Sequence, residues 1–132
     1  MSTKRRTDPA VGQQALAAWC TARTCSASGV DRRTLATAVR YALEEFAARH
    51  PGGSVEVRVP PFGVTQAVEG PRHTRGTPPN TVESDPDTWL ALATGAADFA
   101  EAVGRNSVAA SGVRSDIGHL LPLFDEQGRS LS

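Results

Sequence analysis

Residues 78–124 read PPNTVESDPDTWLALATGAADFAEAVGRNSVAASGVRSDIGHLLPLF, and the changes of period along this stretch decide the fold class. Val82 alternates with Thr81 and Glu83 as a half-buried strand does. Ser84 or Asp85 then caps a helix with Pro86 at or near its first position and Asp87 in its first turn. A missing proline N–H costs nothing there, and a carboxylate meets the positive end of the helix dipole. Trp89, Leu90, Leu92 and Ala93 form the apolar face of this helix, and Gly95 stops it. A second small helix from about Ala97 to Val103 ends at Gly104, Ser107 to Ser111 is extended, and Ser115 opens a last helical turn that Pro122 closes.

Upstream, Asp8-Pro9 marks the start of a helix in which Val11, Ala15, Ala18, Trp19 and Ala22 recur at helical spacing. Asp31 caps a longer helix whose stripe is Leu35, Ala38, Val39, Ala42, Leu43, Phe46 and Ala47, with Val30 and Leu35 placed for a hydrophobic staple. His50-Pro51-Gly52-Gly53 ends it, and the period then drops to two. Val55, Val57 and Val59 alternate with Glu56 and Arg58, and Pro60-Pro61 closes this strand. Phe62 to Glu69 reads as another, with Val64 and Val68 on one face and Thr65 and Ala67 on the other. Gly70 to Asn80 is mainly turn, with room for a short strand around His73 to Arg75. Helices first, then strands, then mixed elements give an α+β domain without βαβ alternation. Residues 1–7 have the composition of a disordered tail, and 8–132 that of a single domain.

The 132-residue chain carries 14 basic and 14 acidic residues, a balance that argues against a nucleic-acid or anionic-membrane footprint. No apolar run follows Lys4-Arg5-Arg6 and none reaches the length of a membrane span, so a cytoplasmic protein without an integral membrane segment is expected. Cys20 and Cys25 are the only cysteines. They lack the further Cys or His pair that a zinc site needs and read as small buried or half-buried residues. No Ser-His-Asp or Cys-His order, phosphate loop or metal triad is drawn by the remaining residues, so no catalytic residue, metal or cofactor is expected. His50 and His119 stand at helix ends, where terminal carbonyls are available.

The segment from Val55 to Gly95, VEVRVPPFGVTQAVEGPRHTRGTPPNTVESDPDTWLALATG, followed by ASGVRSDIGHLLPLF to Phe124, resembles the bacterial sterol carrier protein family, in particular its small actinobacterial members. The similarity covers about residues 54–124 and, more loosely, the two N-terminal helices. It implies a twisted, mostly antiparallel sheet of about five strands covered by helices on one face. In lipid-binding relatives an apolar tunnel runs between the two layers. The expected function is then non-catalytic binding of a lipid or other apolar small molecule. Trp89, Leu92, Leu43, Phe46 and Phe99 would form the wall, and Arg72, His73 and Arg75 would lie near an acidic head group. Trp89 is expected to face Phe99 or Phe124. The alternatives are an interaction or regulatory module with a collapsed pocket, and a mycothiol-linked, enzyme-associated domain. The many alanines, among them Ala38, Ala42, Ala47, Ala91 and Ala93, either leave a cavity or let backbones approach and close it.

Overall fold

The computed structural model describes residues 6–25, 29–70 and 80–131. Its helices are α1 (Pro9–Thr24), α2 (Arg32–Arg49), α3 (Pro86–Ala93) and α4 (Phe99–Gly104), with a short 3₁₀ turn at Gly118–Leu120. The strands are β1 (Val55–Val59), β2 (Gly63–Ala67), β3 (Asn80–Ser84) and β4 (Val108–Ser111).

Every α-helix starts on an aspartate. Asp8, Asp31, Asp85 and Asp98 accept the backbone N–H of Ala10, Thr34, Thr88 and Glu101 at 3.3, 2.8, 2.7 and 3.1 Å. Such a cap stabilises a helix by about 1 kcal/mol. Asp85, rather than Ser84, thus begins α3. Asp98 delays α4 to Phe99, because Ala97 gives its own N–H to the Ala91 carbonyl at 3.1 Å instead of entering the helix.

The sheet has the order β2-β1-β3-β4. β1 and β3 run parallel, while the β1–β2 and β3–β4 pairs are antiparallel. The expected sheet of about five strands is therefore corrected to four among the described residues, with one parallel pair at its centre. That pair follows from register. The chain leaves β2 at Ala67, opposite Val55, and re-enters at Asn80 on the other side of the same residue. The Asn80 side chain secures this end: its Nδ2 donates to Ser54 O at 2.8 Å, and its Oδ1 accepts from Arg114 N at 3.1 Å. After Pro122 the chain pairs with itself, not with the sheet. Phe124 bridges Ser130 across a turn in which Asp125 accepts the N–H of Gln127 and Arg129, both at 2.9 Å.

β2 also ends before the expected Glu69. Val68 takes a left-handed conformation, φ 70°, and gives its N–H to the His50 carbonyl at 2.6 Å. A β-branched residue is disfavoured there and needs such an anchor. The buried face of β2 is that of Ala67, which leaves Val64 59% exposed on the opposite one.

One core lies between sheet and helices. Val55, Val57, Val59, Ala67, Val82 and Val108 meet Ala38, Val39, Ala42, Leu43, Phe46, Trp89 and Leu90 in it. Each of the larger side chains adds ~1.5–3 kcal/mol by leaving water. Glu56, Arg58 and Glu83 occupy the other face of the sheet, a partly exposed polar surface. Cys20 is buried as expected, but Cys25 is exposed, because α1 ends there and turns its C-cap residue to solvent.

Where α1 crosses α2, the small residues close the gap between backbones. A Cβ on Gly12 would stand 2.4 Å from Tyr41 Cγ and 2.7 Å from its Cβ. Gly12→Ala would gain up to about 1 kcal/mol in helix propensity. The clash is with the root of the ring rather than a flexible tip, so overpacking wins. We expect a net loss of about 1–3 kcal/mol, read as a lower urea midpoint at unchanged slope; equal or greater stability would contradict this packing.

His50 closes α2, its N–H donating to Phe46 O at 2.9 Å while its ring lies 5.3 Å from that of Phe46. Burial first, and then the Arg49 charge and His119, hold its pKa below the ordinary 6.5, against a hydrogen bond to the Leu120 backbone. The folded state thus binds this proton less readily than the unfolded chain, so stability is full above pH 6.5 and falls as pH drops below it. Asp31 and Asp125, whose pKa values are also lowered, act in the carboxylate range, near about pH 4, and leave this window clear. Melting temperatures measured from neutral pH downward should decline in the histidine range for the native chain and stay flatter for His50→Gln.

Candidate ligand-binding groove

The main hollow lies away from the space between the sheet and the helices. It is an open groove of about 1080 Å³ between α1, α3, α4 and the 3₁₀ turn. α1 supplies Trp19, Ala22 and Arg23, and the start of α2 supplies Leu35 with Val30 before it. α3 supplies Asp87, Thr88, Ala91 and Leu92. Phe99 from α4 together with Leu121 and Pro122 completes the apolar floor.

Trp19 and Asp87 hold the groove's two long walls together. The indole N–H of Trp19 donates to Asp87 Oδ1 at 2.8 Å, linking α1 to the first turn of α3. Sequence reasoning explained Asp87 by the helix dipole and Trp19 by the core, and so missed their pairing. The available signal was chemical: a buried indole needs an acceptor, and a carboxylate on a largely buried helix can provide one. Arg23 lies over the Trp19 ring at 6.0 Å. Arg23 and Arg105 form no ion pair among the described residues and are solvent-exposed, whereas Asp87 and Asp98 are occupied by Trp19 and by the α4 cap.

The residues expected to form a ligand wall are divided by α3. Leu92 and Phe99 line the groove, at 2% and 7% exposure. Leu43, Phe46 and Trp89 lie behind the helix in the core. Trp89 faces neither Phe99 nor Phe124. Its ring meets Phe46 at 6.0 Å and 87°, because the side chain points toward α2, while Phe124 pairs with Tyr41 at 5.6 Å. The Trp89 indole nitrogen is buried without a hydrogen-bond partner, a state that typically costs about 1–3 kcal/mol. Arg72, His73 and Arg75 lie outside the described residues.

A smaller hollow of about 610 Å³ separates α1 from the C-terminal turn and includes Cys20, Thr94, Phe124 and Asp125. Desolvation, then the Asp125 charge, raise the Cys20 pKa, with Arg23 opposing them. The thiol therefore keeps its proton at neutral pH, the opposite of what a nucleophile requires. No cluster of three or more His, Cys, Asp or Glu placed to hold a metal occurs among the described residues. No described helix is long and apolar enough to cross a membrane.

A search of curated proteins gives no match. The family model described as bacterial SCP ortholog matches residues 31–123, from the cap of α2 to the residue after Pro122, and so takes in the whole sheet, α3 and α4. The chain belongs to this bacterial sterol carrier protein-like family.

Proposed function

We propose that this protein binds an apolar small molecule or lipid, without catalysing its conversion, in the groove between α1, α3 and α4. The observation that carries the reading is the groove itself, about 1080 Å³ with a floor containing Leu35, Ala91, Leu92, Phe99 and Leu121. That volume is slightly above the usual range for small-molecule sites, ~300–1,000 Å³. Membership of the family supports the same class of ligand. The position differs from a tunnel between sheet and helices because Leu43, Phe46 and Trp89 pack together there, and the small residues of α1 and α2 have drawn their backbones close.

Each methylene removed from water contributes ~0.8 kcal/mol, so a chain of about ten would gain about 8 kcal/mol before association costs. Affinity near micromolar would then require most of the chain to be enclosed. The packed core favours a second reading, an interaction module whose groove receives no small molecule.

Titration with cis-parinaric acid, a fluorescent fatty acid, separates the two. Saturable energy transfer from tryptophan is expected, because Trp19 lies in the groove wall. Ala91→Trp, which fills the groove from the α3 side, should weaken the probe at least about tenfold with the melting temperature nearly unchanged. Binding equal to that of the native chain would place the site elsewhere. Absence of saturable binding by the folded native chain would leave the interaction module.

A further inference from the structure

The groove is bounded by Gly95 and Pro122, and the same two residues line the smaller hollow of about 610 Å³. The end of α1 runs between the two spaces. Trp19, Ala22 and Arg23 line the groove, whereas Cys20, Thr21 and Thr24 line the hollow. At about 100° per residue these sets fall on opposite flanks of one helix. The helix does not close over the boundary beneath it. Gly95 is exposed, and a Cβ built on it would meet only Pro122, at 3.3 and 3.6 Å, with no atom of α1 within 4 Å. Its φ of 78° also keeps a side chain off this position. A low sill of backbone and one proline ring is thus what separates the groove from the hollow.

The surface beyond the sill suits the end of an apolar chain. Cys20 is buried and keeps its proton at neutral pH, so it behaves as a small apolar group. Leu131 lines the same hollow and stays 38% exposed, apolar surface that a bound chain would cover. An acidic group would be repelled there. It would meet Glu126 and the Asp125 carboxylate, which already accepts the N–H of Gln127 and of Arg129, both at 2.9 Å. The guanidinium groups without an ion pair among the described residues, Arg23 and Arg105, belong to the groove instead. A molecule with one acidic and one apolar end therefore has a single orientation, with its apolar end toward Cys20.

We infer that the second hollow is the distal part of the ligand site, and that the ligand is an unbranched apolar chain that crosses the sill at Gly95 and Pro122 and ends beside Cys20 and Thr21. This rests on the binding function proposed above and names its ligand class. A flexible chain follows the turn under α1 from one hollow to the other, which a rigid fused-ring molecule cannot do.

Stearic acid carrying a nitroxide near its carboxyl end or near its methyl end tests this path, since the radical broadens the proton–nitrogen correlation signals close to it. With one ligand per chain, the methyl-end label should broaden the amides of Thr21, Thr94 and Leu131, and the carboxyl-end label those of Ala91, Ala97 and Phe99. Each enclosed methylene multiplies affinity about fourfold. Thr21→Phe fills the second hollow from an exposed position of α1. It should weaken unlabelled stearate about tenfold or more at a nearly unchanged melting temperature, and octanoate, too short to cross the sill, far less. Dehydroergosterol, a rigid sterol, should not displace stearate. If both labels broaden groove residues alone, the chain stays in the groove and the second hollow is no part of the site. If two ligands bind per chain and each label reaches both hollows, these are separate sites and the inference fails. Displacement of stearate by the sterol would overturn the choice of a flexible chain. Absence of any stearate binding by the folded chain would remove the groove reading as well, an outcome distinct from the other three.

Discussion

Trp89 meets Phe46 edge to face at 6.0 Å, and this contact seats α3 against α2. Such a pair adds about 0.5–1.5 kcal/mol beyond the area it buries. Its larger consequence is directional, because once Trp89 faces α2 the rest of α3 has no freedom of rotation. Leu90 and Ala93 must be buried with it, while Asp87, Ala91 and Leu92 line the groove. The Ala93 carbonyl then stands where it accepts both Leu123 N and Phe124 N, at 2.9 and 3.0 Å, and Ala91 O receives Ala97 N. The orientation of one short helix thus positions the start of α4, the C-terminal segment and one wall of the groove.

Side-chain size governs where the empty volume goes. The chain is rich in alanine, and the sequence leaves open whether small residues make a cavity or close one. At the α1–α2 crossing they close it, with Gly12 pressed on Tyr41, and Ala38, Ala42 and Ala47 are fully buried in the core rather than around a cavity. Dispersion rewards this approach, since a void without contacts on one side forfeits attraction that close backbones recover. The volume reappears where α1 and α3 cannot both remain close to α2 along their whole length. That gap is spanned at one point by Trp19 and Asp87, and Ala22, Ala91 and Ala97 are too short to fill the remainder.

Local chemistry was legible in the sequence, and long-range pairing was not. Asp8, Asp31 and Asp85 announced three helix starts because a short carboxylate before a helical period has one strong use, accepting the orphaned N–H groups. The Val55, Val57, Val59 alternation likewise disclosed the buried face of β1. The parallel β1–β3 pair depends on how the chain passes from Ala67 back to Asn80, about which period two is silent. The site was half legible for the same reason. Leu92 and Phe99 were expected in one wall with Leu43, Phe46 and Trp89, but they line the groove while the other three lie in the core, because which side of α3 faces the hollow is decided by α2, distant in the chain and with an equally apolar stripe. Trp89 was legible as a residue needing a partner for its N–H, while the absence of one is visible only when its neighbours are in place.

The groove also crosses the boundary of the family match. Residues 31–123 contain its α3, α4 and 3₁₀ walls, but Trp19, Ala22 and Arg23 belong to α1, before that segment. Gly12 and Leu16 anchor α1 to the rest of the protein, one against Tyr41 and the other in the main core, while Gly128 of the C-terminal turn packs against Leu16 and Ala17. Both flanking segments therefore meet on α1. A groove whose one wall is held from outside the matched segment can change shape through substitutions that leave the sheet and its core untouched. In this chain the Trp19 to Asp87 hydrogen bond ties those walls together, and with them the width of the groove above Leu92 and Phe99.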